Sequence, residues 1–202
     1  LIYCDILYGT GKNFKDYQDI KCTKDSVEKF YKDRLIEMHR VLKDKGSIYL
    51  QMDYRISHWV RNIMDDIFGY ENFRNKIIWK YGLGNASKKT NFLDKYDEIL
   101  YYSKTNEFVW NMQRGEITKQ MKAKYCNYDT DTNQHYMTSN GKRYYLKGGK
   151  KLENVWDDIP NMSPTSKERV GYSTQKPKAL IERIIKCSSN EGDIVGDFFM
   201  GS

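Results

Sequence analysis

Short apolar segments alternate with amphipathic ones through the first half of this chain, and that alternation constrains the fold more than any other feature. Three short runs are typical of buried strands: Leu1–Cys4, Ser47–Met52 and Asn75–Trp79. Apolar residues recur at three- and four-residue steps over 26–42, and again from about residue 57 to residue 69, which predicts two helices. This strand-helix-strand-helix-strand order predicts an α/β fold whose sheet is mostly parallel, with helices on both of its faces.

The alternation is interrupted by a segment of different composition. Residues 105–166 are rich in Lys, Asn, Thr and Tyr and have no sustained apolar period, so we expect an insertion with some β character. A strand is predicted before it at Glu98–Tyr102, and after it a helix at Lys178–Lys186 and a strand at Asp193–Asp197. The predicted regions of the chain are therefore 1–104, 105–166 and 167–202.

Composition excludes several classes of protein. Of the 202 residues, 39% are hydrophobic and 30% are charged. No apolar run reaches the roughly 20 residues that a transmembrane helix needs. The four cysteines are scattered, without a CxxC pair or a histidine cluster. This argues against a zinc site or a disulfide framework and favours a reducing cytoplasm. The net charge of +7 is compatible with a nucleic-acid partner but is only weak evidence for one.

Aspartates stand at the ends of two predicted strands, near opposite ends of the sequence. Asp5 follows the first strand and Asp197 ends the last, and each is followed by a loop with small residues. Ligands of open α/β sheets bind beyond the carboxyl ends of strands, and glycine lets a backbone approach such a ligand closely. Two interpretations are open for each aspartate: a ligand-binding role, or a cap for the following turn or helix.

The segments around these aspartates carry a more specific pattern. The first is Asp5-Ile6-Leu7-Tyr8, which a Gly-Thr-Gly turn follows; the others are Thr174-Gln175-Lys176-Pro177 and Asp197-Phe198-Phe199-Met200-Gly201-Ser202. They resemble the DPPY, TQKP and DPFxGSG motifs of the β-class amino-group DNA methyltransferases. Collinear matches at 46–50, 71–80 and 155–160 extend the resemblance over nearly the whole chain. The motif order is that of the β class and of type III modification subunits.

The resemblance implies a Rossmann-like methyltransferase fold that uses S-adenosylmethionine. The reaction it implies is methylation of the N6 amine of an adenine flipped out of duplex DNA, since Asp at the start of the tetrad favours adenine within this family. Asp5 and the Ile6 carbonyl would accept the two amine hydrogens, and Tyr8 would stack on the base. The cofactor would contact Thr174, Lys176, Asp197, Phe199 and Gly201. No metal is implied.

The chain departs from the family pattern at its prolines. Ile6 and Leu7 replace both prolines of the tetrad, and Phe198 replaces that of DPFxGSG. Proline fixes the backbone angle φ, so its loss loosens a loop. A degenerate DNA-binding remnant without turnover is therefore an alternative to an active enzyme, and an RNA-modifying enzyme is a more distant one.

Basic residues in two segments are candidates for DNA contact. The resemblance assigns target recognition to the insertion, where Lys142, Arg143 and Lys147 lie among tyrosines, and a DNA-proximal loop to the segment with Lys88 and Lys89. Lys and Arg neutralise backbone phosphates. Without the resemblance, a solvated surface is the preferred interpretation of these residues.

The resemblance also gives expectations about partners and about the ends of the chain. It implies duplex DNA and a restriction subunit as partners, no membrane, and a cytoplasmic location. The first residues have neither the basic start nor the apolar length of a signal peptide, and the chain stops within the DPFxGSG-like loop. We therefore expect a piece of a longer protein, with its fold incomplete at the carboxyl end. One geometric expectation connects the motifs: Asp5 and Gly201 should line a single cavity.

Overall fold

A computed structural model describes residues 1–14, 17–82, 90, 92–172 and 174–201. They form two compact units. The sheet unit comprises Leu1–Asn111 and Asn154–Ser202, and the inserted unit comprises Met112–Glu153. Within these described ranges, no helix has both the length and the apolar character needed to cross a membrane.

Five strands form the sheet of the sheet unit. They are β1 (Ile2–Asp5), β2 (Ser47–Met52), β3 (Phe73–Lys80), β4 (Tyr96–Ser103) and, after the inserted unit, β8 (Val155–Trp156). Their order across the sheet is β1-β2-β4-β3-β8. β1 and β2 are parallel, as are β3 and β8, whereas β4 is antiparallel to both of its neighbours.

The α/β fold expected from the sequence is confirmed, with one correction: the sheet is mixed, where a mostly parallel sheet was predicted. Neighbouring parallel strands need a crossover connection of about a dozen or more residues, usually a helix. The segment 81–95 between β3 and β4 has no apolar helical period from which such a crossover could form. The chain therefore returns antiparallel, and this reverses the direction of β4.

Helices cover both faces of the sheet. One face packs against α1 (Lys24–Val41) and α2 (Tyr54–Phe68). The other face packs against the last helix, α4 (Lys178–Ser188), which follows α3 of the inserted unit (Lys119–Lys124) in chain order. Side chains of a strand alternate between its two faces. Ile2 and Cys4 accordingly join the α1–α2 core, while Tyr3 joins the α4 core.

The helix predicted from about residue 57 begins earlier, at Tyr54, because Asp53 caps it. The Asp53 carboxylate accepts a hydrogen bond from the backbone N–H of Arg55 at 2.7 Å. Such a bond satisfies one of the backbone donors left unpaired at a helix start. The helix therefore follows β2 directly, without a loop.

The strand predicted at Asp193–Asp197 is reduced to one parallel bridge, between Gly196 and Ile2. The Gly196 N–H donates to the Leu1 carbonyl at 2.9 Å, and the Tyr3 N–H donates to the Gly196 carbonyl at 3.0 Å. Ile194 is 76% exposed, so this edge segment gains little apolar burial from longer pairing. The short contact still holds the following residues, 197–201, beside β1.

The inserted unit contains α3 and a three-stranded antiparallel sheet, which gives this stretch the β character predicted for it. Its strands are β5 (Asn127–Asp129), β6 (Gln134–Ser139) and β7 (Lys142–Tyr145). Asn140 and Gly141 connect β6 to β7 with φ of 51° and 72°. Two successive residues with positive φ are what a tight two-residue hairpin requires.

Candidate active site

Four polar side chains meet at one edge of the sheet, on the face that α4 covers. Asp5 ends β1 and lies opposite Gln51 in the β1–β2 register. Asp97 is near the start of β4, and Tyr81 follows β3 directly. Because β4 is antiparallel, its first residues lie where β1 and β2 end. Strand alternation then directs Asp5, Gln51 and Asp97 to the same face.

The hydroxyl of Tyr8 connects two of these side chains. It lies 2.9 Å from Asp5 Oδ1 and 2.7 Å from Asp97 Oδ2. Asp97 also accepts hydrogen bonds from Gln51 Nε2 at 2.8 Å and from the Tyr81 hydroxyl at 3.0 Å. Asp97 is only 3% exposed, so these protein donors take the place of water around its carboxylate.

Lys176 forms an ion pair with the other oxygen of Asp5. Its Nζ lies 2.5 Å from Asp5 Oδ2, and the two side chains are 13% and 22% exposed. The same ammonium lies 5.3 Å from the centre of the Tyr8 ring, within the range of a cation–π contact. Lys176 comes just before α4, so the packing of that helix on the sheet holds the ammonium at this edge.

Burial is the main cause of the pKa shifts of Asp5 and Tyr8 in this cluster. Burial raises the pKa of the Asp5 carboxyl, and the nearby Lys176 ammonium opposes that rise. The pKa of Tyr8 is raised well above its ordinary value, first by burial and then by the Asp5 and Asp97 carboxylates. Tyr8 is therefore a neutral hydrogen-bond donor at physiological pH.

Asp19 fixes the loop that follows Tyr8. Only 5% exposed, it accepts hydrogen bonds from the backbone N–H groups of Gly9 and Thr10 at 3.1 and 2.7 Å. Gly9 has a φ of +70°, and a Cβ at this position would lie 2.6 Å from Cγ2 of Ile56. Glycine is the residue that satisfies both demands, which explains the turn after the tetrad.

Ile6 and Leu7, which stand where the family tetrad has prolines, pack into the α1–α2 core. Ile6 is only 2% exposed. Its backbone N–H donates to the Gln51 carbonyl at 3.0 Å, and the Tyr31 hydroxyl donates to the Leu7 carbonyl at 2.8 Å. Two hydrogen bonds and apolar packing therefore hold this backbone in the absence of proline.

A cleft of about 1020 Å³ opens beside Asp5. This is near the upper end of small-molecule sites, about 300–1,000 Å³. Every residue expected to act in catalysis or to contact the cofactor lines this one cleft: Asp5, Ile6, Tyr8, Thr174, Lys176, Asp197, Phe199 and Gly201. The structure thus brings together the two ends of the sequence, including Asp5 and Gly201.

The wall of the cleft formed by residues 197–201 has groups that suit a nucleoside. The Asp197 carboxylate accepts a hydrogen bond from the Phe199 N–H at 2.9 Å, and burial raises its pKa. The Phe199 ring packs 6.1 Å from that of Tyr31. Gly201 lies so close to Tyr172 that a Cβ would be 2.3 Å from the Cζ of its ring. The Tyr172 ring therefore packs against the Gly201 backbone, and the Asp197 carboxylate and the Phe199 ring lie on the same wall of the cleft.

A second, smaller pocket of about 250 Å³ adjoins the cleft. Five residues line both spaces and so form the boundary between them: Tyr8, Tyr172, Thr174, Gln175 and Lys176. The smaller pocket is otherwise lined by Trp79, Tyr81 and Asp97, among others. The aromatic rings of this pocket are suited to contact with a flat ring.

Three of the residues predicted to contact DNA belong to the inserted unit. Lys142 and Lys147 are exposed on the inserted unit. Arg143 of the same unit pairs with Asp129 at 3.1 Å and covers the Tyr136 ring at 4.8 Å. Lys88 and Lys89 lie outside the described residues.

Sequence reasoning missed Gln51, Tyr81 and Asp97. Asp97 offers a usable signal, because it and Glu98 are charged residues near the start of a strand that is apolar and aromatic from Ile99 to Tyr102. The signal is useful only once the direction of β4 is known, since the start of a parallel strand lies at the opposite edge of the sheet.

Comparison with known proteins gives consistent matches over the whole chain. The type II methyltransferase M.HpaI of Haemophilus parainfluenzae is 32% identical over 203 residues, covering 100% of this chain and 57% of that protein. The DNA adenine methyltransferase YhdJ of Escherichia coli (strain K12) is 29% identical over 203 residues, covering 100% and 65%. The chain therefore spans between 57% and 65% of the length of these relatives.

The fold and the family agree with these matches. The crystal structure of the M1.HpyAVI–SAM complex superposes with a TM-score of 0.52 at 17% identity, covering 99% of this chain and 72% of the other, which shows a shared fold. The sequence model of the N6_N4_Mtase family, described as DNA methylase, matches residues 1–202. The chain therefore belongs to this DNA methylase family, as its tetrad and its TQKP segment predicted.

Proposed function

We propose that this chain methylates the exocyclic N6 amine of an adenine in duplex DNA and uses S-adenosylmethionine as the methyl donor. The observation that carries the proposal is the cleft in which Asp5 and Tyr8 meet Lys176 and the segment 197–201. The names of the relatives support it, since YhdJ is a DNA adenine methyltransferase. The solved M1.HpyAVI structure is a SAM complex.

The residues of the cleft fit the proposed cofactor. Thr174, Lys176, Asp197, Phe199 and Gly201 would hold it: the carboxylate suits a hydroxyl or ammonium group, the ring offers an apolar face, and the absence of a side chain at Gly201 lets the Tyr172 ring pack beside it in the same cleft. When bound, S-adenosylmethionine supplies a methyl group carried on a positively charged sulfur. A nucleoside-sized ligand is also consistent with the volume of the cleft.

The tetrad residues would orient the target amine. Asp5 accepts one amine hydrogen and the Ile6 carbonyl accepts the other, which turns the nitrogen lone pair towards the cleft. Fixing the reacting groups in this way is a large part of catalysis, since a misplacement of about 1 Å costs about 100-fold in rate. Tyr8 stacks on the base, a contact worth about 1–3 kcal/mol. The stacking energy offsets part of the cost of flipping the base, which is roughly a few kcal/mol.

The environment of the tetrad supports an active enzyme over a DNA-binding remnant. The side chains of Ile6 and Leu7 pack in the apolar core, and hydrogen bonds to Gln51 and Tyr31 hold their backbone. The buried polar cluster around Asp5 also supports activity, because unpaired or needless buried charges are costly to a fold.

DNA binding and a restriction-modification setting belong to the same proposal. Lys142, Arg143 and Lys147 of the inserted unit would neutralise phosphates, with the two lysines most exposed to them. M.HpaI is named a type II methyltransferase, so an endonuclease that cuts the same site is the partner we propose. A gene for such a nuclease beside the gene for this chain would support the assignment.

Transfer of a radiolabelled methyl group from S-adenosylmethionine to unmethylated plasmid DNA by the full-length protein tests the proposal. We expect N6-methyladenine in the digested product and a loss of about 100-fold or more in Asp5→Asn. Asp44→Asn is the matched control, because its side chain is 84% exposed and does not line the cleft. N4-methylcytosine as the product would overturn the choice of base. An intact protein that binds DNA in a salt-sensitive way but incorporates no label would be a remnant.

A further inference from the structure

We propose that Asp97 is a positioning residue that accepts the hydrogen bond of the Tyr8 hydroxyl and so leaves Asp5 Oδ1 available to the target amine. This inference rests on the proposed function, because it concerns how the same site receives its base. It assigns a role to a buried carboxylate that none of the recognised motifs contains.

The starting point is a hydroxyl shared by two carboxylates. Tyr8 has a single hydroxyl hydrogen and donates it to one acceptor at a time. Its oxygen lies 2.7 Å from Asp97 Oδ2 and 2.9 Å from Asp5 Oδ1. Hydrogen bonds from a hydroxyl to a carboxylate strengthen as they shorten towards about 2.5–2.7 Å. The shorter contact therefore identifies Asp97 as the acceptor of the Tyr8 hydrogen bond.

Two further hydrogen bonds hold the Asp97 carboxylate in the position in which it accepts from Tyr8. Gln51 Nε2 donates to the same oxygen at 2.8 Å, and the Tyr81 hydroxyl donates to the other oxygen at 3.0 Å. Gln51 is itself fully buried and is fixed by the Tyr3 hydroxyl, which donates to its Oε1 at 2.7 Å. Tyr8, Gln51 and Tyr81 all donate hydrogen bonds to Asp97, which makes its carboxylate a fixed acceptor.

The consequence falls on Asp5. Lys176 already occupies Asp5 Oδ2 at 2.5 Å. If Tyr8 donated to Oδ1, both oxygens of Asp5 would have partners and the incoming amine would compete with an internal donor. With the Tyr8 hydrogen bond directed to Asp97, Oδ1 remains an acceptor on a residue that lines the cleft.

The same contact fixes the ring of Tyr8. A ring stacks on a base only while its plane keeps one orientation, and the hydroxyl at its far end is anchored by Asp97 and more weakly by Gln51 Nε2 at 3.4 Å. Asp97 thus acts on the reaction through Tyr8 and does not need to touch the base.

Substitution of Asp97 and Tyr8, singly and together, tests the inference. In Asp97→Asn a neutral amide oxygen, which also accepts from Gln51 Nε2, replaces the carboxylate as the acceptor, so the Tyr8 hydroxyl turns to the charged Asp5 Oδ1. We expect kcat for methyl transfer to fall about tenfold or more, with little change in the KM for S-adenosylmethionine. Tyr8→Phe keeps the stacking ring and removes the competing hydrogen. The double variant should therefore recover about threefold or more over Asp97→Asn alone, a rescue that a purely structural role of Asp97 would not produce.

The unfolding free energies of the same four proteins in urea give a readout that is independent of turnover. A direct contact predicts that the effects of Asp97→Asn and Tyr8→Phe are not additive. Additive unfolding energies, or equal losses of kcat in both backgrounds, would overturn the inference. If the parent protein methylates no DNA while the two substitutions remain coupled, the proposed function fails but the contact stands. Asp44→Asn, on the exposed surface, is the reference variant.

Discussion

The ammonium of Lys176 lies 2.5 Å from the carboxylate of Asp5, although 171 positions separate the two residues in the sequence. The pair connects the segment before α4 to the end of β1, and it places a positive charge beside a carboxylate that burial disfavours. A residue expected to contact the cofactor is therefore also the counter-charge of the residue expected to accept the amine. This gives Lys176 an effect on the protonation of Asp5 that its motif alone does not reveal.

The pH dependence of methyl transfer should report this counter-charge. The ionised carboxylate of Asp5 is the stronger acceptor of the amine hydrogen, so activity falls as the pH drops through its pKa. Burial raises that pKa and Lys176 lowers it. Lys176→Met should therefore move the acidic limb of the kcat profile to higher pH, by about 1–3 units. Lys176→Arg, which keeps the charge, should leave the limb nearer its original position.

The control for the pH profile is Lys24→Met on the surface of α1, whose side chain is 63% exposed. An acidic limb that stays in place in Lys176→Met would show that Lys176 does not set the protonation of Asp5.

Two glycines of the loop after the tetrad make a matched pair for stability. Gly9 and Gly11 have φ of +70° and +66°, so alanine at either position costs about 1–2 kcal/mol from the left-handed backbone alone. A Cβ on Gly9 would also lie 2.6 Å from Cγ2 of Ile56, whereas no described atom lies within 4 Å of one on Gly11. Gly9→Ala should therefore lose more unfolding free energy, by an additional 1–3 kcal/mol or so.

Urea unfolding of both glycine variants measures this difference. Equal losses would mean that the loop moves away from α2 without cost. In that case Asp19, which anchors the loop through Gly9 and Thr10, would not hold it as the hydrogen bonds indicate.

Periodicity and strand-end logic predicted much of this site from the sequence. The first two strands and helices were placed to within a few residues, because their apolar patterns are regular. The meeting of Asp5 with Lys176 and Gly201 could be expected, since the motifs that carry them stand at strand ends or at the start of a helix. The roles of these residues remain predictions.

The polar cluster behind Tyr8 could not be predicted, for a topological reason. Asp97 lies near Asp5, with the Tyr8 hydroxyl between them, only because β4 is antiparallel. The residue pattern indicates that a strand exists but not in which direction it runs. Gln51 lies in a strand that reads as a buried apolar run, where one polar residue gives no sign of its partner. The strand predicted at Asp193–Asp197 is in fact only a short edge contact at Gly196. The prediction rested on the apolar residues Ile194 and Val195, which are exposed in the structure.

Two basic residues of the inserted unit should have different roles: Lys147 in contact with phosphate, and Arg143 also in the internal structure of the unit. Lys147 is exposed, so Lys147→Ala should weaken DNA binding for all sequences and reduce the slope of log K against log salt by about 0.9. Arg143 pairs with Asp129, which also accepts the Tyr145 hydroxyl at 2.5 Å. Arg143→Ala should therefore also loosen the β5–β7 sheet.

Fluorescence anisotropy over a salt series measures the first effect, and amide hydrogen exchange in β6 and β7 measures the second. Faster exchange in Lys147→Ala, or an unchanged salt slope in that variant, would contradict the division of roles between the two residues.

Restoring the family's proline at position 6 should harm this chain. The Ile6 N–H donates to the carbonyl of fully buried Gln51 at 3.0 Å, and proline has no N–H to replace it. Loss of that bond leaves a buried acceptor unsatisfied, at a cost of about 1–3 kcal/mol. Ile6→Pro should therefore lower the unfolding free energy in urea, and it should lower methyl transfer as well, because Gln51 also holds Asp97. Ile6→Val keeps the N–H and should lose only about 0.5–1.5 kcal/mol. A proline variant that is both more stable and more active would mean that the hydrogen bond to Gln51 does not replace the rigidity that proline gives the family tetrad.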